Sequence, residues 1–551
     1  MLSGFQEYFS TRVIQSKYFK AFVYLLSSLI IVAFGQPAYS SFFGILASSF
    51  GYALFWNVVL SFPNKKKRFW ISAFWFSAVQ AIQLFWLLSH PFSYIYGLYF
   101  FLCFAIGLQF GCLGVLITPA RVKHLPGMLA IAAFYTLMEW SRLFFFSGFS
   151  LNPIGLSLTT TLWGLQNASL LGVYGLTFYV IICNLVALQK RIIPFAIVAV
   201  LPYLFGFLHV SWHRPFLNKE SGYLNALLIQ TAFPVEEAIV FSSFQKAVNY
   251  VEEEWEKILK VLQSFKEKHI DLIVLPEYVV PYGTYIAIYP YENVKKTFED
   301  LFGKRGEQAL PALKEPLALE ANVTNAYYGQ AIANLFNSDV VIGLQDDQWI
   351  SAKETESYSS AYYFWPRGDS GFRYEKRILL PMGEYIPFKC CQRIAAKYGI
   401  TGSFRPGEEA KVFPGSKVPF GLSVCYEETY GNLMRESRLK GSELLINVTS
   451  DVWYPNSRLP KQHFDHARLR SIEMGIPLVR ACNTGITSAF NSLGEVVESL
   501  NEKDEWVRQG LFVKVPLYHY PTLYSFLGDG FIISLSFGFC FFLFDFKQRK
   551  P

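Results

Sequence analysis

The sequence predicts a membrane protein in which an eight-helix transmembrane bundle carries an α/β domain. Three observations predict it. The 551 residues are 52% hydrophobic and only 17% charged, with 53 Phe, and the mean hydropathy is +0.26; soluble domains carry about a quarter charged residues. Apolar runs of roughly 18–25 residues, long enough to cross a bilayer, recur through the first half and once at the end. Between them lies a long segment in which short apolar strands alternate with amphipathic helices. This composition excludes a disordered chain, a small disulfide scaffold and a wholly soluble enzyme.

The candidate spans are 18–36, 40–61, 70–90, 94–118, 127–147, 166–188, 193–211 and 526–545. The first run is too long for the core of a signal peptide. Basic residues fall in every second loop: Arg12, Lys17 and Lys20, then Lys65–Arg68, then Arg121 and Lys123, then Lys190 and Arg191, and finally Lys547, Arg549 and Lys550. Loops 37–39, 91–93 and 148–165 carry no Lys or Arg. The positive-inside rule then puts both termini in the cytoplasm and segment 212–525 outside. Three domains follow: 1–211 with seven spans, 212–525 as an extracytoplasmic domain, and 526–551 with the last span and a tail. Residues 1–212 hold a net charge of +10 within the total of +7, leaving −3 for the rest. The positive excess thus belongs to the apolar half, and no nucleic-acid surface is predicted. Glu139 and Arg142 sit at i,i+3 within a span, read either as a functional site or as a mutual pair. The apolar loops Gly148–Leu158 and Tyr285–Tyr291 read either as dipping into lipid or as simple packing.

Within 212–525, Asn225–Gln230 reads as a short strand and Glu236–His269 as a long amphipathic helix, with Phe244, Val248, Val251, Trp255, Ile258 and Leu262 at helical spacing. Asp271–Leu275 is a second buried strand. Further strands are expected at Val340–Leu344, Ala361–Trp365, Pro419–Val424, Leu444–Val448, Pro477–Arg480 and Ile486–Phe490, and helices near 389–399, 428–440 and 460–474. Segment 297–335 gives mixed turn and helix signals. The eight Cys form no CxxC pair and no zinc-ligand spacing, so neither a metal site nor a disulfide framework is expected.

Three positions are candidates for chemistry. Glu277 follows a buried strand in LIVLPEY, at the strand end where open α/β sheets place ligands. Lys376 lies in RYEKR, ahead of an apolar loop in which Glu384 needs a partner such as that lysine. Cys425 ends a strand and begins CYEETY, where the amides of a following turn stabilise a thiolate and an oxyanion. Taken singly, each has a plain alternative: a surface acid, a solvated charge run, a packed thiol.

Together, LPEY at 275–278, YEKRILLPMGEYIP at 374–387 and SVCYEE at 423–428 resemble the nitrilase superfamily over roughly residues 220–515. The spans around that segment narrow the resemblance to the membrane branch, the apolipoprotein N-acyltransferase family. NVTSDVWY at 447–454, QHF at 462–464, RACNTGIT at 480–487 and LMEWSRLFFFSGF at 137–149 agree with it. The resemblance implies an αββα sandwich with Glu277 as general base, Lys376 on the tetrahedral intermediate and Cys425 as nucleophile. It implies no cofactor. It implies a phospholipid acyl donor, usually phosphatidylethanolamine, and as acceptor the α-amine of a diacylglyceryl-cysteine at an apolipoprotein N-terminus, in the bacterial inner membrane. Glu384 would position Lys376, and the backbone N–H of Tyr426 would join it at the oxyanion. Glu427 would support the turn or touch substrate, Trp453 and Tyr454 would line the acyl entry, and His463 reads as structural. Three positions depart from the family pattern. Thr231-Ala232-Phe233-Pro234 stands for Gly-Asn-Ile-Pro after Gln230, Met382 stands for Phe before Gly383-Glu384, and Tyr454 stands for Phe after Trp453. The rival reading is a membrane-anchored nitrilase-type amidase that hydrolyses a carbon–nitrogen bond with the same three residues.

Overall fold

A computed structural model describes residues 17–145, 147–219, 222–235, 243–313, 321–351, 354–388, 393, 396–397 and 404–545. The helix expected at 389–399 lies mostly outside the described residues, as do Cys390, Cys391, Arg12, Lys547, Arg549 and Lys550. The chain divides into two compact units, Met1–Trp212 with Leu527–Pro551, and His213–Phe526.

The first unit is helical. Among the described residues, five helices are long and apolar enough to cross a membrane: Ser41–Val59, Tyr94–Leu116, Ala168–Leu188, Ile192–Leu217 and Leu523–Cys540. Helices Lys17–Ala33, Lys65–Gln83 and Leu125–Ser141 lie under the other three apolar runs. Glu139 and Arg142 form a mutual pair with a structural task. Their atoms lie 3.9 Å apart, and Glu139 accepts from the Ile154 N–H at 2.8 Å and the Thr177 hydroxyl at 2.6 Å. Arg142 donates to Gln109 at 2.7 Å and to the Tyr135 hydroxyl at 3.1 Å. Both carboxylate oxygens of Glu139 and the Nε and Nη2 of Arg142 are thereby hydrogen-bonded away from water, as an apolar medium demands. The pair holds the start of the 3-10 helix Ile154–Thr160, all of which is buried. Residues 150–158 therefore pack inside the unit, and the packing alternative holds for that part of the Gly148–Leu158 loop.

The second unit is a sandwich of two six-stranded sheets. Its strands are β1 Tyr223–Gln230, β2 Leu272–Leu275, β3 Asp339–Ser351, β4 Glu354–Phe364, β5 Phe372–Glu375, β6 Val412–Phe413, β7 Phe420–Val424, β8 Leu444–Thr449, β9 Leu478–Cys482, β10 Ser488–Phe490, β11 Val496–Ser499 and β12 Gln509–Pro516. One sheet runs β12-β1-β2-β3-β4-β5, the other β11-β10-β9-β8-β7-β6. In the first, β1, β2 and β3 are parallel; in the second, β7, β8 and β9 are parallel.

Side-chain alternation explains the layering. Leu224, Ala226 and Leu228 of β1 join Leu422, Val424, Ile446 and Val448 in the core between the sheets. Leu227 and Ile229, one residue out of phase, join Val251, Trp255 and Ile258 of helix Phe244–Gln263 in a second core. Helices Gly431–Leu439 and Leu459–Met474 follow β7 and β8. The result is the αββα nitrilase-like fold. Strands β5, β6, β11 and β12 and the helix Tyr291–Phe302 have no counterpart in the reading of the sequence, while the helix Asn325–Phe336 lies in the segment of mixed turn and helix signals. Of the second apolar loop, Tyr285 and Ile286 are exposed, while Ile288 and Tyr289 are buried.

Candidate active site

Glu277 follows the C-terminal end of β2. Its position is set by a close backbone approach: Gly343 of β3 donates to Pro276 O at 3.1 Å and accepts from Val279 N at 3.1 Å. A Cβ at Gly343 would lie 2.5 Å from Glu277 Cα. Glu277 is only 3% exposed.

Lys376 continues β5, its N–H donating to Ser359 O at 2.9 Å. Its ammonium, 2% exposed, donates to Glu277 Oε1 at 3.2 Å and to Glu384 Oε1 at 2.7 Å. Glu384 Oε2 accepts from Leu380 N at 2.8 Å, which folds the 380–384 turn onto the lysine. The lysine expected to partner Glu384 is therefore its partner, and Glu277 joins the pair.

Cys425 follows β7 and opens the 3-10 turn Cys425–Thr429. Its φ of 51° is left-handed, a strained value for a side-chain-bearing residue that persists only where the surroundings enforce it. Those surroundings are specific. Asn447 Nδ2 donates to Cys425 O at 3.3 Å and to Ser423 Oγ at 3.0 Å. Glu427, wholly buried, accepts from Val424 N at 2.8 Å, Tyr374 Oη at 2.9 Å, Arg377 N at 2.5 Å and Ile378 N at 3.1 Å. One carboxylate thus ties the cysteine turn to the segment that carries Lys376. With four donors on two oxygens, Glu427 supports the turn. Tyr426 is buried and meets Tyr430 edge to face at 5.3 Å. Trp453 and Tyr454 are half-buried in the loop after β8. That loop starts at Ser450, whose carbonyl lies 4.0 Å from Cys425 Sγ.

Two carboxylates and one ammonium in a dry site leave one negative charge in excess. Burial raises the Glu277 pKa, Lys376 opposes that rise, and the charge of Glu384 adds to it, so that it stands at about 7. Glu277 and the Cys425 thiol are close enough for each to act on the other's charge. Burial works against the Lys376 ammonium, but Glu277 and Glu384 more than reverse it, so the lysine stays charged. Burial and the neighbouring Glu277 push the Cys425 thiol up, Lys376 pulling the other way. The thiol is therefore protonated at rest, beside a carboxylate whose pKa suits it to take that proton near neutral pH. Among the described residues, no group of three or more His, Cys, Asp and Glu is arranged to hold a metal ion.

A buried network behind the turn is absent from the reading of the sequence. Glu428 pairs with Arg480 Nε at 3.1 Å, Arg480 reaches Asp451 at 3.4 Å, and Asp451 accepts from His463 Nδ1 at 2.7 Å. A wholly buried arginine within the apolar strand LVRAC is the signal that points to it. His463 is structural here, since it orients Asp451. The departure after Gln230 is also accommodated: the Thr231 hydroxyl donates to Asn483 Oδ1 at 2.7 Å, and Asn483 Nδ2 donates to Ser450 Oγ at 3.1 Å. Ala232 between Thr231 and Phe233 has a left-handed φ of 49°.

Fold and site together define a nitrilase-type architecture: a buried carboxylate, lysine and cysteine converging from the ends of three strands. Residues 243–511 match the carbon-nitrogen hydrolase family, and residues 21–186 match the N-terminal domain of apolipoprotein N-acyltransferases. The chain is similar to the apolipoprotein N-acyltransferase of Chlamydia caviae, at 31% identity over 93% of this chain and 95% of that protein. It is equally similar to that of Chlamydia pneumoniae, at 31% over 93% and 94%. Saccharomyces cerevisiae Nit3, a solved member of the nitrilase superfamily, aligns at 16% identity over 55% of this chain and 93% of its own, with a TM-score of 0.35. The chain belongs to the apolipoprotein N-acyltransferase family.

Proposed function

We propose that this chain moves a fatty acyl group from a phospholipid, phosphatidylethanolamine foremost, to the α-amine of a diacylglyceryl-cysteine at an apolipoprotein N-terminus. The observation that carries this is the ammonium of Lys376 held between Glu277 and Glu384 beside Cys425, in a member of this family. Glu277 takes the proton of the Cys425 thiol, and the sulfur attacks the ester carbonyl. Lys376 and the backbone N–H of Tyr426 meet the oxyanion. Collapse breaks the ester C–O bond, the leaving alkoxide takes the proton from Glu277, and lysophospholipid departs. The amine then attacks the thioester, gives a proton to Glu277, and the departing thiolate takes it back. Glu384 and Glu427 act through Lys376 and the turn. Trp453 and Tyr454 line the acyl entry.

Both substrates are anchored by acyl chains, which favours a catalytic domain beside a leaflet rather than free in solution. In this reading eight helices cross the inner membrane and the tail of 526–551 returns to the cytoplasm. The domain of 212–525 faces the periplasm, as the alternation of basic loops favours. The test is to mix the detergent-purified protein with phosphatidylethanolamine and a diacylglyceryl-cysteine peptide. An amide-linked acyl group on the peptide amine, together with lysophospholipid, is the expected result. Release of free fatty acid with an unmodified peptide, or turnover of small amides without lipid, would instead favour the hydrolase reading.

A further inference from the structure

The end of β8 holds a group that the mechanism above does not use. Strands β7 and β8 run parallel with Val424 opposite Val448, so the next residues, Cys425 and Thr449, stand side by side. Asn447 and Thr449 are two apart in the strand and share a face. Asn447 grips the Cys425 carbonyl at 3.3 Å. Thr449 is wholly buried, and its hydroxyl has no hydrogen-bond partner among the described residues. Its backbone is occupied elsewhere, the carbonyl accepting from Asn483 N at 2.9 Å. A buried hydroxyl without a partner is costly, and valine would fill the same space without that cost. The residue beside it in the strand register is Cys425. Sγ also lies 4.0 Å from the carbonyl oxygen of Ser450, which repels a thiolate. The sulfur thus needs a donor, and the hydroxyl needs an acceptor.

We propose that Thr449 is a catalytic residue whose Oγ–H donates a hydrogen bond to the Cys425 thiolate. This rests on Cys425 being the nucleophile. The thiol proton goes to Glu277; Thr449 keeps its own proton throughout. The bond forms as the thiolate appears, loosens as sulfur bonds to the acyl carbon, and forms again as the thiolate leaves in the second step.

The experiment uses the full-length protein in detergent with two probes. Iodoacetamide reads the thiolate at Cys425 as a function of pH, by peptide mass spectrometry. Dipalmitoyl phosphatidylethanolamine reads acyl-enzyme formation by intact mass. In Thr449→Val the alkylation midpoint rises by about one pH unit and acyl-enzyme forms about tenfold more slowly, the size of one charge-assisted hydrogen bond. Thr449→Ser keeps both within about twofold of the parent. Should the valine variant fail to fold, Thr449→Ser against Thr449→Ala carries the same comparison, since both shrink the side chain and one keeps the hydroxyl. The proposal is overturned if valine matches the parent in both readouts, or if serine is as slow as the variant without a hydroxyl. An adduct that persists in Cys425→Ala would remove the nucleophile itself, and this proposal with it.

Discussion

Glu384→Gln perturbs the charge cluster most selectively. Lys376 Nζ lies 3.2 Å from Glu277 and 2.7 Å from Glu384. Two carboxylate oxygens on one ammonium stand about 5 Å apart, where like charges repel by about 3 kcal/mol at an effective dielectric of 20. That equals roughly two pH units. Burial and this repulsion, set against Lys376, hold Glu277 at about 7. Glutamine removes the repulsion and leaves Lys376 to act on Glu277 alone, so the Glu277 pKa falls. Because Glu277 must be ionised to take the thiol proton, the acid limb of acyl-enzyme formation moves down, from a midpoint near 7 toward roughly 5. The plateau falls as well. Glutamine has one acceptor oxygen for the two donors that Glu384 satisfies, Lys376 Nζ and Leu380 N. Losing one such bond costs about 1.5–3 kcal/mol, about ten- to hundredfold in rate if it falls on the transition state. The assay is single-turnover acyl-enzyme formation from phosphatidylethanolamine, followed by intact mass between pH 5 and pH 9. A midpoint that stays put or rises in the variant would refute the reasoning, whatever happens to the plateau.

Other perturbations test other links. Gly343→Ala puts a Cβ 2.5 Å from Glu277 Cα; a displacement of about 1 Å there should cost on the order of a hundredfold in acyl-enzyme formation while circular dichroism stays native. Ala232→Asn places a residue that tolerates left-handed backbone where φ is 49°, and should add about 1 kcal/mol of stability, about 1–2 °C in the melting temperature, with the acylation rate unchanged. Glu427→Gln cannot satisfy the four donors that the carboxylate accepts, and should cost about 3 kcal/mol or more, seen as a lower melting temperature together with lost acylation. For Asp451, burial would raise the pKa, but His463 and Arg480 outweigh burial and hold it below its ordinary value. Its stabilising contribution is therefore complete above about pH 4 and is lost as pH falls through the folded value. Thermal melts from pH 7 to pH 3 should show that acid loss in the parent and a smaller one in Asp451→Asn.

Glu277 and Cys425 are legible because each is a polar group just after a buried apolar strand, where a ligand site forms; Lys376 follows the mixed strand β5 and stands out only as part of a charge run ahead of an apolar loop. Strands β2, β7, β8 and β9 are mostly apolar and buried along their whole length because both faces are covered, one by the second sheet and one by helices. Strands β5 and β12 are half-exposed and mixed in composition, so they carry little periodic signal. Glu428, Arg480, Asp451 and His463 are up to 52 positions apart along the chain and become partners only when β7 and β9 join one sheet. The close approach at Gly343 and the left-handed backbone at Ala232 and Cys425 are properties of packing that residue type alone does not disclose. In the apolar half, Ala168–Leu188 and Leu523–Cys540 read as unbroken runs, yet each is kinked, at Gly172 with φ of 63° and at Gly528 with φ of 58°.

The central claim is acyl transfer through a thioester at Cys425, and intact mass spectrometry of the detergent-purified protein with phosphatidylethanolamine tests it most directly. The expected result is a mass increase of one fatty acyl group that hydroxylamine removes and that Cys425→Ala never shows, with Lys376→Ala folded but acylated at least about a hundredfold more slowly. A folded protein that forms no adduct, or an adduct that persists without the Cys425 sulfur, would contradict it.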